Sequence, residues 1–464
     1  MHFLRRPLPL VLATCAFFLG ISHLPAANRT TSPGGPAPWA EYVRNGRYEE
    51  GQEYFRNAIV HECVEENSSS VKAISPLHTG YLVCRYYPTM EERIYSEADR
   101  NRLSGWLMKN REFNSRFLLA LKPQDQPDRA FRILYQLLSF SSRAVKQFPE
   151  LTIAFAVVWD GHEHEPKELV GSYRYYVQNA RHMLLNLSDM PHQVIEHIID
   201  TDRSLQERFW ALKHYRGNRE IGKLYDQIWK QENRMRPASR NNEQGQMVTR
   251  TPSLPEIRQH GGGARHAALF ASEVGKAIGL PTVYISARTA TGVEHAWVGY
   301  LNKNASGYLW DYATGRGAGD KIVTGRVKGF GQRNAGSPGL EHTLAVLKPA
   351  YESRRRARIW CDVASILLEA DYPEKAREAL FQSLNACAYD PSQWKTFAEI
   401  ARATGLSSQQ LKRAIDKFCA NLEDFPTLAA NAFETLINAT DPSQTELRDQ
   451  LYSHMADKFA DDPS

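Results

Sequence analysis

The chain has 464 residues, of which 42% are apolar and 11% aromatic. That composition excludes a disordered chain, and the length allows a large core divided among about two to four domains. The formal net charge is +5, from 57 basic and 52 acidic residues, a balance too mild to point to nucleic acid or an anionic membrane surface as partner.

Residues 1–27 read as an export signal. Arg5 and Arg6 form a basic start, Pro7 to Ile21 an apolar run, and Ala26-Ala27 a small-residue cleavage site. The expected location is periplasmic or extracellular. An uncleaved N-terminal anchor is the alternative for this run; no other stretch is apolar and long enough to cross a bilayer. Cys15 loosely fits a lipoprotein box, but Thr14 before it and the apolar run beyond it argue against lipidation. Residues 28–38, NRTTSPGGPAP, form a flexible leader.

Residues 39–235 are expected to be helical. FNSRFLLAL, DRAFRILYQLLSFSSRAVKQF and ELTIAFAVVWD repeat apolar side chains at three- and four-residue steps. Pro149 suits the first position of the last of these helices. Further helices are expected over 192–200 and 205–230. The H-x-H pair His162 and His164 falls in a polar stretch, best read as a solvated loop. Residues 236–254 almost entirely lack large apolar side chains and read as a linker.

A compact unit follows over 255–345. Its predicted elements are a helix from about 264 to 278, then strands over 282–287, 295–301 and 308–313. Residues 350–464 return to helical patterning, with Pro373 and Pro391 at turns and a faint helix-turn-helix repeat. The expected fold class is therefore α+β: a mostly helical chain around a small central α+β core.

The cysteines left after signal cleavage are Cys63, Cys84, Cys361, Cys387 and Cys419, with no metal-finger spacing. Cys63 and Cys84 are a candidate disulfide in an oxidising compartment. His260, His266, His295 and Asp311 match no local metal motif, so no metal and no cofactor are expected.

The chemistry concentrates in the central unit. A helix start lowers the pKa of a thiol placed there. A histidine on a neighbouring strand can move the proton, and a carboxylate on the next strand can hold the imidazole. Gly261-Gly262-Gly263, the helix, His295 and Asp311 occur in that order. GGGARHAALFASEVGKAIGLPTVYI, VEHAWVGYL and YLWDYATG together resemble the core of the transglutaminase-like superfamily, a papain-like α+β fold. Members begin the helix with G-x-C, close it with Arg-x-x-Gly-Ile-Pro, and carry an HAW strand and an Asp strand. Lys276 to Pro281 fits the helix end, His295-Ala296-Trp297 the second motif and Asp311 the third. The likeness spans roughly ninety residues, about a fifth of the chain. The helical region before it is also similar to those preceding this core in secreted bacterial relatives, and the C-terminal helices resemble tetratricopeptide units.

The departure from the family is at the nucleophile. Counting back from Gly279 places that position at Ala264, whose methyl cannot attack an acyl carbon. The resemblance then implies a pseudoenzyme, with His295 and Asp311 as a remnant dyad and the former cleft binding a peptide or protein. Gly263, Arg265, His266, Trp297 and Arg316 are the candidate ligand contacts: a glycine turn entering a helix, with arginines nearby, can receive an anion. Trp297 reads first as core packing. Two alternatives stand beside this reading: an active cysteine-type acyltransferase or peptidase fed by a distant thiol, and a helical-repeat scaffold that binds a partner protein.

Overall fold

The computed structural model describes residues 39–122, 125–161, 166–188, 190–229, 239–241, 247–249, 252–288, 294–304, 307–311, 314–315, 324–328, 351–389, 391–404, 422, 426–439 and 445–458. The expected signal segment and leader, His162, His164, Arg316 and Cys419 lie outside the described residues.

The chain is mostly helical, with strands confined to its middle. The N-terminal region contains α1 (Ala40–Arg44), α2 (Tyr48–Val64), α3 (Val71–Tyr86), α4 (Met90–Arg93), α5 (Glu97–Lys109), α6 (Arg111–Ala120), α7 (Pro127–Phe140), α8 (Ser142–Gln147) and α9 (Pro149–Val158). It continues with α10 (Pro166–Asn179), α11 (His192–Ile199), α12 (Leu205–Tyr215) and α13 (Ile221–Trp229). α9 is buried along its whole length, as a helix apolar on every side must be. Phe155 of this helix meets Tyr173 of α10 edge-to-face, with 5.5 Å between ring centroids. Pro149 does open this helix. The helix expected over 205–230 is two helices, parted at Gly217, whose φ of +82° suits glycine.

The stretch expected as a linker carries two short strands, β1 (Ser239–Asn241) and β2 (Met247–Thr249), paired antiparallel. Each is three residues long, too short for an alternating pattern to show in the sequence, although Met247 and Val248 lie in β2. α14 (Leu254–His260) follows, begun by a Ser253–Glu256 capping box. Then come α15 (Ala264–Ala277), β3 (Thr282–Arg288), β4 (Glu294–Asn304), β5 (Gly307–Asp311) and β6 (Thr324–Lys328). The four strands form one antiparallel sheet in the order β5-β4-β3-β6. β6 was not foreseen; it pairs along the free edge of β3.

α15 packs on this sheet, and α11, α12, α13 and α14 surround it. The helix closes in a Schellman turn: Leu280 N–H donates to Gly275 O (2.9 Å) and Gly279 N–H to Lys276 O (3.1 Å), with Gly279 at φ +78°. Thr282 donates its hydroxyl to Ser272 O (2.6 Å) and so faces α15. Side chains alternate along a strand and cross-strand partners share a face. Tyr284, Ala296, Val298 and Tyr300 therefore face α15, while Val283, Ile285, His295 and Trp297 project from the other side.

C-terminal to the sheet lie α16 (Tyr351–Glu369), α17 (Pro373–Ala386), α18 (Pro391–Thr404), α19 (Pro426–Ala439) and α20 (Thr445–Lys458). α16–α17, α17–α18, α18–α19 and α19–α20 pack as neighbours. α16 docks on the N-terminal region: His78 Nε2 lies 3.0 Å from Asp362 Oδ2, and the Arg116 guanidinium stands 4.2 Å above the Tyr351 ring. No helix among the described residues is long and apolar enough to cross a membrane.

The candidate disulfide does not form. Cys63 and Cys84 are free and buried. The Cys84 sulfur lies against Gly51 on α2, and Cys63 is twelve positions further along that helix, about 18 Å away by helical rise.

Candidate functional site

Gly261 (φ +71°) turns the chain out of α14, and Gly263 forms the N-cap of α15 without any side-chain capping bond. Nothing lies within 4 Å of where a Cβ on Gly263 would stand, so space is open above the helix start. The His266 ring folds back against Gly262. Burial, helped by the Arg265 charge, lowers the pKa of His266 and favours neutral imidazole. Arg265 is exposed. Its charge also reaches Tyr284 on β3, whose phenol is otherwise pushed up by burial.

Ala264 sits at the first position of α15. Ser272 touches Thr282, and Ala264 lies eight residues before it, about 12 Å by helical rise. That length is roughly four residues of strand, which puts Ala264 level with Ile285 and Ser286 and their partners Trp297 and Ala296. Helix start and His295 thus occupy one end of the layer. They do not face each other: the hydrogen-bond and ring partners of His295 are Gly315, Trp229 and Trp297, none on α15.

His295 is half-buried and its Nε2 lies 2.6 Å from the Gly315 carbonyl. A carbonyl only accepts, so Nε2 carries the proton and Nδ1 is the basic nitrogen of the neutral ring. Asp311 is engaged elsewhere. Its Oδ2 accepts from the Tyr300 hydroxyl (2.9 Å), and Thr314 Oγ1 stands 3.5 Å from Oδ1. In the β4–β5 register Asp311 is opposite Tyr300, not His295. The two residues expected as a remnant dyad are therefore not hydrogen-bonded to each other, and a neutral carbonyl orients the imidazole instead.

Trp297 is 4% exposed, and its Nε1–H has no acceptor among the described residues. Its ring lies 6.1 Å from His295 in a stacked arrangement. Trp229 meets the other side of His295 edge-on at 6.3 Å and is 36% exposed. Tyr225, one turn back on α13, donates to Ala296 O (3.0 Å) and covers Gly315. Sequence reasoning passed over Trp229. The signal was present: Ile221, Leu224, Tyr225 and Ile228 form the buried stripe of α13, and Trp229 falls just outside it.

Cys63 and Cys84 are both pushed up to about 12 by burial. Cys361 is buried with its sulfur 3.7 Å from Thr396 Oγ1. Among the described residues no three or more His, Cys, Asp or Glu gather as metal ligands would. No protein-family model, no curated protein and no solved structure matches this chain.

Proposed function

We propose that this is an exported protein whose core at 255–345 is transglutaminase-like and catalytically dead, its former cleft now holding a peptide or protein ligand. One observation carries the reading. α15 opens with the Ala264 methyl at the nucleophile position, while His295 stays half-exposed between Trp297 and the surface ring of Trp229. The exposed Trp229 ring suits an apolar peptide side chain, and the open, uncapped helix start suits a polar peptide backbone. As sources of a distant thiol, Cys63 and Cys84 lose support, because thiols at a pKa of about 12 supply almost no thiolate.

The test uses the full chain on an array of short synthetic peptides, with amide cleavage and ammonia release followed in parallel. The reading expects retained peptides, none of them cleaved, and retention lost in Trp229→Ala. Cleavage or transamidation that disappears in His295→Ala would overturn it.

The scaffold reading has its own support: α18 and α19 are helices of equal length, each opened by proline, with Pro426 falling 35 residues after Pro391. That spacing is near the tetratricopeptide period. Removing 391–464 and repeating a pull-down from an envelope extract separates the two readings, since partner binding that survives the deletion excludes these helices.

A further inference from the structure

A second concavity lies far from the sheet, where α5 meets the corner between α7 and α8. It is a pocket of about 660 Å³, within the usual range for small-ligand sites. Arg102, Trp106 and Lys109 line it from one face of α5, at the four- and three-residue steps that bring side chains together on a helix. Leu103 and Leu107 turn into the core, while Arg102 and Lys109 are exposed and so are not needed for packing. Phe140 and Arg143 close the far wall.

The charges in this pocket are unbalanced. No carboxylate lines it. Arg102, Lys109 and Arg143 have no ion-pair or hydrogen-bond partner among the described residues. Asp99, the nearest acid before Arg102 on α5, instead accepts the Tyr135 hydroxyl at 2.5 Å. Arg174 adds a further positive charge 4.8 Å above the Phe140 ring. Three cations around one concavity repel one another and focus a positive potential into it. Two of them are guanidinium forks, matched to carboxylate or phosphate oxygens. The rest of the wall mixes serine and asparagine side chains with an apolar stretch of Trp106, Leu138 and Phe140, and Trp106 is held edge-on to Phe113 at 5.2 Å.

We propose that this pocket binds a small organic dianion, a phosphate ester or dicarboxylate, with the charged head between Arg102, Lys109 and Arg143 and its apolar body against Trp106 and Phe140. One negative charge would leave two cations unmatched, and a bare inorganic anion would leave the aromatic wall unused.

The test is calorimetric titration of the full chain at low salt with phenyl phosphate, phthalate and inorganic phosphate. Saturable one-to-one binding of phenyl phosphate or phthalate is expected, and the tighter of the two identifies the head group. Binding should weaken as salt is raised. Arg102→Gln and Arg143→Gln should each reduce affinity about tenfold. All three cations are exposed, so unchanged thermal unfolding will show that the variants fold. No saturable binding, or undiminished binding by the Arg102→Gln/Lys109→Gln/Arg143→Gln variant, would overturn the site. Inorganic phosphate binding as tightly as phenyl phosphate would overturn the role of the aromatic wall.

Discussion

The two ends of α15 are built in opposite ways. At its C-terminal end, Lys276 and Glu273 are 3% and 6% exposed and lie 3.4 Å apart. Lys276 also donates to Asp200 O, Thr201 donates to Glu273, and Tyr175 donates to Ala277 O at 2.7 Å. Burial alone would lower the Lys276 pKa, but Glu273 and Asp200 outweigh it and raise it. At the N-terminal end there is no side-chain cap, an open space over Gly263 and an exposed Arg265. One end fixes the helix, and the other is left free to meet something. A buried ionic end is costly unless every partner is present, whereas a helix start facing solvent tolerates change.

The comparison predicts a steep gradient of mutational cost along one helix. Lys276→Ala or Glu273→Ala should each destabilise the fold by about 3–5 kcal/mol in urea unfolding, because each strands a buried charge. Arg265→Ala should change stability by less than about 0.5 kcal/mol. Equal costs at the two ends would break the comparison.

A second effect reaches the closed end through α11, whose C-terminal cap is Asp200. Burial pushes the Glu150 carboxyl up, but the side chain, charge and backbone N–H of His192, with Arg116, bring it down to about 2. Its folded pKa is depressed, so its contribution of about 3 kcal/mol is full above pH about 4.5 and is lost as pH falls towards 2. Glu150→Gln should flatten that acid limb of the stability curve; an unchanged limb would remove Glu150 from the support of α11.

Next in size is Gly279→Ala, which forces a Cβ into the positive-φ region and against Met183. It should cost about 2 kcal/mol by thermal unfolding, and a neutral result would mean that the Schellman turn does not close the helix. Smaller again is Trp229→Ala, about 1 kcal/mol for its lost contacts with His295 and Tyr225, although it should abolish peptide retention. A large loss of stability would recast Trp229 as core.

Much of the fold was legible in local chemistry. The pattern from Lys276 to Pro281 announces a helix stop and strand start, and the Schellman turn at Gly279 realises it. The apolar periods of 128–140 and 149–158 gave α7 and α9 for the same reason: side-chain spacing decides which face is buried. What depended on pairing between distant segments was not legible. β6 is held by its ladder to β3, and the His295–Gly315 bond depends on the path of the chain after β5. The Asp311 role was read from the order of helix, His strand and Asp strand and from the resemblance. Spacing does not fix hairpin register, and the register placed it opposite Tyr300. Trp229 was missed because attention to the helix–strand motif left the edge of α13 unread.

On the proposed reading, a catalytic framework is dismantled at the open end: Ala264 stands at the nucleophile position and His295 is turned to the Gly315 carbonyl. The direct test is Ala264→Cys, with the alkylation rate of the new thiol measured across pH in the presence and absence of His295→Ala. The account predicts an alkylation profile set by the helix start alone and unchanged by His295→Ala. Rapid alkylation at neutral pH that is lost in His295→Ala would contradict it, by showing that base and nucleophile position still form a working pair.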